Sequence, residues 1–168
     1  FDGWQENDKG GIYFYNDHRS KTPWGDTRPD YGRGEVRQFI HDNAMMWLED
    51  YHVDGLRWDM TLYIHSVNGD GGETIPEGWS LMQYVNQAVR ERFPGRILIA
   101  EDLHSNPAIT ADTDRGGAGF HSQWDAQFVH PIREMVIHAD DAGRSMEAVK
   151  TAITYRYEED ACNRVIYS

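Results

Sequence analysis

Cysteine is nearly absent. The chain carries only Cys162, which excludes an internal disulfide and any zinc site built from cysteines. That residue is expected to be a small core side chain near the last strand. Long apolar runs are missing too. No stretch approaches the roughly 20 residues that cross a bilayer, so no membrane partner is expected. Positive charge is scarce: 16 Lys and Arg stand against 28 Asp and Glu, a formal charge of −12. A surface so acidic repels nucleic acid and anionic lipid and fits a neutral partner such as a sugar. There are eight histidines, but no His-x-His or His-x-x-x-His pair occurs beside a carboxylate. This disfavours a metal-dependent hydrolase, and neither a metal nor a cofactor is expected.

What is present is alternation. The length of 168 residues suits one domain, 1–168. Residues 1–34 hold no sustained period and read as a long loop. Its rings (Trp4, Tyr13, Phe14, Tyr15, Trp24, Tyr31) serve either its own packing or stacking on sugar faces. Residues 35–168 alternate helix and strand, the α/β signature. Over 34–51, Val36, Phe39, Ile40, Ala44, Trp47, Leu48 and Tyr51 predict a helix with one buried face. A strand is expected at 55–60. Residues 61–78 read as a loop, in which Asn68-Gly69-Asp70-Gly71-Gly72-Glu73 is a turn rather than a calcium loop. Ser80 is expected to cap a helix whose buried stripe is Leu81, Val85, Ala88 and Val89, stopped by Pro94-Gly95. Strands are predicted at 97–101, at 120–125 and at 164–167, with helices at 131–138 and 145–153.

The chemistry is expected where the first two strands end. In Asp54-Gly55-Leu56-Arg57-Trp58-Asp59-Met60, period two puts Gly55, Arg57 and Asp59 on one face and Leu56, Trp58 and Met60 on the other. Arg96-Ile97-Leu98-Ile99-Ala100-Glu101-Asp102 is a second strand ending in a carboxylate. A helical crossover between them makes the pair parallel, so Asp59 and Glu101 stand at the same edge. Adjacent strands lie about 4.8 Å apart, and a carboxyl separation of roughly 5 Å is that of a retaining glycosidase. Arg57 favours the charged form of Asp59, as a nucleophile requires. The apolar run before Glu101 favours a protonated acid. Asp102 points to the opposite face. The same pattern also fits a buried Arg57–Asp59 ion pair with Glu101 on a solvated loop.

Asp54-Gly55-Leu56-Arg57-Trp58-Asp59 resembles the fourth-strand motif of the alpha-amylase family of glycoside hydrolases (family 13), and Ile99-Ala100-Glu101-Asp102 resembles its fifth-strand motif. Thr22-Pro23-Trp24-Gly25, Glu35-Val36-Arg37-Gln38-Phe39-Ile40, Pro76-Glu77-Gly78-Trp79-Ser80-Leu81 and Phe120-His121-Ser122-Gln123-Trp124 are similar to the branching-enzyme and malto-oligosyltrehalose-trehalohydrolase branch. Asn163-Arg164-Val165-Ile166-Tyr167-Ser168 resembles the seventh strand. The resemblance implies a TIM (β/α)8 barrel, present in part as about strands four to seven. It also implies alpha-glucan or maltooligosaccharide as substrate, Asp59 as nucleophile, Glu101 as general acid/base and Arg57 as the family's arginine. Trp24, Trp58, His104 and Trp124 are the expected substrate-side residues.

The family's third-strand Asp and His have no counterpart, and its seventh-strand His-Asp would follow Ser168. A full barrel needs about 250 residues. A truncated hydrolase or transglycosylase of reduced activity is therefore expected, the alternative being a folded fragment that at most binds glucan. A half barrel exposes sheet edges and an apolar inner face, so a homodimer or other self-association is expected. A cytoplasmic location is the default expectation.

Overall fold

The computed structural model describes residues 11–157 and 164–165. Four parallel strands lie in the order in which the chain makes them: β1 (Gly55–Trp58), β2 (Ile97–Ala100), β3 (Ser122–Trp124) and β4 (Arg164–Val165). Gly55 pairs with Ile97 and Trp58 with Ala100, which brings the C-terminal ends of β1 and β2 to one level. Gly55 is required there, because a Cβ would stand 2.4 Å from the Ile97 carbonyl oxygen. The helices are α1 (Gly34–Glu49), α2 (Thr61–His65), α3 (Pro76–Arg92), α4 (Ala126–Ile137) and α5 (Met146–Thr154).

Helix boundaries follow local chemistry. α3 starts on Pro76, whose missing N–H has no partner to lose in a first turn. Ser80 therefore sits inside the helix rather than capping it, and its Oγ accepts from Arg37 Nη1 at 3.1 Å. Arg37 Nη1 also donates to the carbonyls of Tyr31 and Glu77, tying α1 to the start of α3. Asp125 and Ser145 cap α4 and α5 through the N–H groups of Gln127 and Ala148. α4 begins five residues before Pro131 and includes it.

The core lies between α1, α3 and one face of the sheet. Leu98 and Ala100 of β2 are fully buried, while Ile97 on the other face is 51% exposed. Leu81, Met82, Val85 and Val89 of α3 and Ala44, Met45 and Leu48 of α1 meet them. The buried stripe of α1 is narrower than predicted. Phe39, Trp47 and Tyr51 are exposed, and Met45 replaces them inside. Phe14, Tyr15 and Tyr31 of the long loop are buried. They pack as the loop's own interior, whereas Trp24 stays largely exposed.

One correction concerns the region after β1. Part of the expected 61–78 loop is helix α2. It crosses α3 so closely that a Cβ on Gly78 would lie 1.8 Å from the Ile64 carbonyl oxygen. Three polar side chains of α3 are structural as well. Trp79 Nε1, Gln83 Nε2 and Asn86 Nδ2 donate in turn to the carbonyls of Gly116, Gly117 and Ala118, at 3.1, 2.9 and 2.9 Å. Their spacing aligns them on one helix face, and the clamp fixes the glycine-rich approach to β3. Cys162, Trp4 and the predicted strand positions 166–167 lie outside the described residues.

Candidate active site

Arg57, Asp59, Glu101 and Trp124 meet where β1, β2 and β3 end. Arg57 is the last outward residue of β1, and Asp59 follows in the turn to α2. Arg57 Nη1 donates both to Asp59 Oδ1 and to Glu101 Oε2, the latter at 2.5 Å. Two oxygens bonded to one nitrogen lie no more than about 5 Å apart. The guanidinium also lies 5.0 Å from the centroid of the Trp124 ring, a cation–π contact that orients its plane. The two carboxylates differ in exposure. Asp59 is 79% exposed at the side chain and Glu101 13%.

The expected apolar setting for Glu101 is not what the structure shows. Its Oε2 accepts from Arg57 and from the Met60 backbone N–H at 3.0 Å. Met60 reaches that position in the left-handed region, with φ of 40°. An L residue other than glycine adopts this conformation only under local constraint. The reading of an Arg57–Asp59 pair with Glu101 apart from it fails as well, because one guanidinium holds both acids.

The other sequence-predicted residues separate. Trp124 is in the site. Trp58, expected on the substrate side, is on the core face instead: its ring meets buried Phe120 edge-on at 5.8 Å. Strand alternation from Arg57 requires this. Trp24 is 67% exposed and touches Tyr63 of α2 edge-on at 5.2 Å. His104 is exposed on the loop after β2, and its N–H donates to Asp102 Oδ1 at 3.3 Å.

Asp102 and His65 carry more than the sequence disclosed. Asp102 is completely buried. Its Oδ2 lies 3.1 Å from His65 Nε2 and accepts from Thr61 Oγ1 at 3.4 Å. His65 in turn meets the Trp79 ring edge-on at 5.5 Å. No motif marks His65, and it becomes legible only once 61–65 is known to be helical. Among the described residues no group of three or more His, Cys, Asp or Glu side chains is arranged to hold a metal ion. No described helix is long and apolar enough to cross a membrane.

No protein-family model matches the chain. Curated proteins do. A 1,4-alpha-glucan branching enzyme of Oceanobacillus iheyensis is 32% identical over 144 residues, covering 77% of this chain and 23% of its own length. Those of Bacillus subtilis and Corynebacterium jeikeium are 30% and 33% identical, covering 88% and 95% of this chain and 24% of each relative. The chain thus spans under a quarter of the length of these relatives. Over that span it is a partial, branching-enzyme-like region and belongs to the alpha-amylase family of glycoside hydrolases, family 13.

Proposed function

We propose that the chain carries the catalytic pair of an alpha-glucan-active glycoside hydrolase or transglycosylase working by a retaining mechanism. One observation carries the reading: two carboxylates at neighbouring strand ends bonded to a single arginine nitrogen. Their oxygens lie within the roughly 5 Å expected of a nucleophile and an acid/base flanking one glycosidic bond. Asp59, the exposed acid, attacks the anomeric carbon. Glu101 gives its proton to the departing glycosidic oxygen. It then takes a proton from water or a sugar hydroxyl as that oxygen displaces Asp59. Arg57 holds both acids in place, and Trp24, His104 and Trp124 lie toward the sugar. In this reading the consecutive parallel strands are a sector of a TIM (β/α)8 barrel, strands four to seven.

The test is product analysis after incubating the purified chain with soluble starch and maltooligosaccharides, run beside Asp59→Asn. New or rearranged oligosaccharides from wild type alone are expected. A wild type as inert as the variant would sink the catalytic reading. A second reading, a non-catalytic fragment that at most binds glucan, draws on the same ion pairs: Arg57 already occupies both acids. In that case Asp59→Asn leaves glucan affinity unchanged.

Self-association belongs to the same proposal. Ile97 on the open sheet face, Val136 and Ile137 on α4 and Met146 on α5 are all exposed. Two copies that cover such side chains form a homodimer with a more complete core. Light scattering should give twice the 19.4 kDa chain mass; a strictly monomeric, compact particle rejects the dimer.

A further inference from the structure

Asp102 is one residue past Glu101 and faces the other way. On the core side of that peptide, Asp102 takes bonds from Thr61 and His65, the first and last residues of α2. On the opposite side, which carries Arg57, Glu101 takes bonds from Met60 and Thr61, where the same helix begins. The Met60 N–H donates to Glu101 Oε2 at 3.0 Å, and the Thr61 N–H donates to the Glu101 carbonyl at 3.2 Å. One five-residue helix is thus bonded to both neighbours, Glu101 and Asp102.

A helix this short does not persist by itself, since nucleation is costly and its hydrogen bonds are few. Met60 at its start also carries left-handed strain. Something outside α2 must hold both. Asp102 meets the requirement: it is completely buried, and a carboxylate can only accept, so the proton on His65 Nε2 faces it. His65 is braced in turn. Its ring stands edge-on to Trp79, its carbonyl accepts from the Ile75 N–H at 2.8 Å, and Trp79 is tied to the Gly116 carbonyl.

We propose that the buried Asp102–His65 pair is a positioning device that latches α2, holds Met60 in its left-handed conformation and so keeps the Met60 N–H on Glu101. Asp102 and His65 are positioning residues here, not catalytic ones. The importance of Glu101 rests on the proposed function, but the latch is a statement about this chain's own backbone and stands or falls without it.

The experiment is residue-resolved amide hydrogen exchange on the full chain, comparing wild type with Asp102→Asn, His65→Leu and His65→Gln. A buried hydrogen bond to a charged group contributes about 1.5–3 kcal/mol. Its loss is expected to speed exchange at Met60 and Thr61 about tenfold to a hundredfold in Asp102→Asn and His65→Leu. Amides of β2 and α3, such as Leu98 and Val85, should keep wild-type rates. His65→Gln retains an N–H donor at a similar reach and should restore most of the protection. Unchanged exchange at Met60 and Thr61 overturns the latch. So does a uniform rise across the domain, or a His65→Gln variant no better than His65→Leu, because each describes ordinary packing loss. If wild type rearranges maltooligosaccharides, the same variants should lower kcat with KM nearly unchanged. An inert wild type with a positive exchange result removes the catalytic reading and leaves the latch in place.

Discussion

Glu101→Gln is expected to slow cleavage of unactivated maltooligosaccharides by about 10²–10⁴-fold, the usual contribution of a general acid/base. The glutamine keeps the size of the side chain and can still accept from the Met60 N–H, so the fold is retained. What it cannot do is give a proton to the leaving oxygen. The loss should therefore depend on the leaving group. A glucoside whose aglycone departs without protonation should be cleaved far faster by the variant than maltose units are, because only the second step still needs a base. Asp59→Asn should show no such recovery, since a nucleophile is needed whatever leaves. Steady-state rates on both substrate types separate the two roles. Equal losses on both substrates for Glu101→Gln would remove Glu101 from the acid/base role and leave it as an Arg57 partner.

That distinction matters because the geometry is compatible with both roles. Arg57 Nη1 bonds both Asp59 and Glu101; under the proposed function it positions both acids about the sugar, and otherwise the three are a plain ion-pair cluster. Exposed ion pairs contribute little to stability, and Asp59 is mostly in water. Removing Asp59 should thus cost little fold stability. A large loss of activity in Asp59→Asn at unchanged stability is the signature of chemistry rather than scaffolding.

The pairing of Arg57, Asp59 and Glu101 was legible because a strand enforces period two and a parallel neighbour enforces a common edge. Both rules act through backbone geometry that a sequence cannot hide. The same alternation, applied strictly, excludes Trp58 from the substrate side, and its contact with Phe120 follows. The polar interior was not legible. Asn86 lies on the buried stripe of α3, yet its amide serves the Ala118 carbonyl 32 residues away. Asp102 lies in a run whose apolar members announce burial, but its partner is on a helix too short to show a period. Such groups are placed by long-range hydrogen bonds, and no local pattern encodes those. Phe39 and Trp47 err the other way: their helical spacing is right, and the core simply does not extend to them, while Tyr51 lies past the end of α1.

Phe120→Ala is expected to cost about 3–5 kcal/mol of stability, the range for emptying a buried aromatic site. Phe120 is completely buried in the core, under Trp58 and between the glycine-rich approach and β3. Its N–H bonds the Ile109 carbonyl at 3.1 Å, so the backbone is held and cannot collapse fully into the space left. The cavity opens directly behind Trp58, whose neighbour Arg57 orients both acids. Two consequences should appear together. Urea denaturation should show a lower midpoint with an unchanged slope, as expected for a native-state loss without a change in the denatured chain. Any turnover should fall even where the variant remains folded, because β1 loses the packing that fixes Arg57. Trp24→Ala provides the contrast. That ring is two-thirds exposed, so its removal should change stability by no more than about 0.5 kcal/mol while weakening glucan binding. If Trp24→Ala proved as destabilising as Phe120→Ala, Trp24 would belong to the fold, and the sugar-facing surface would shrink to Trp124 and His104.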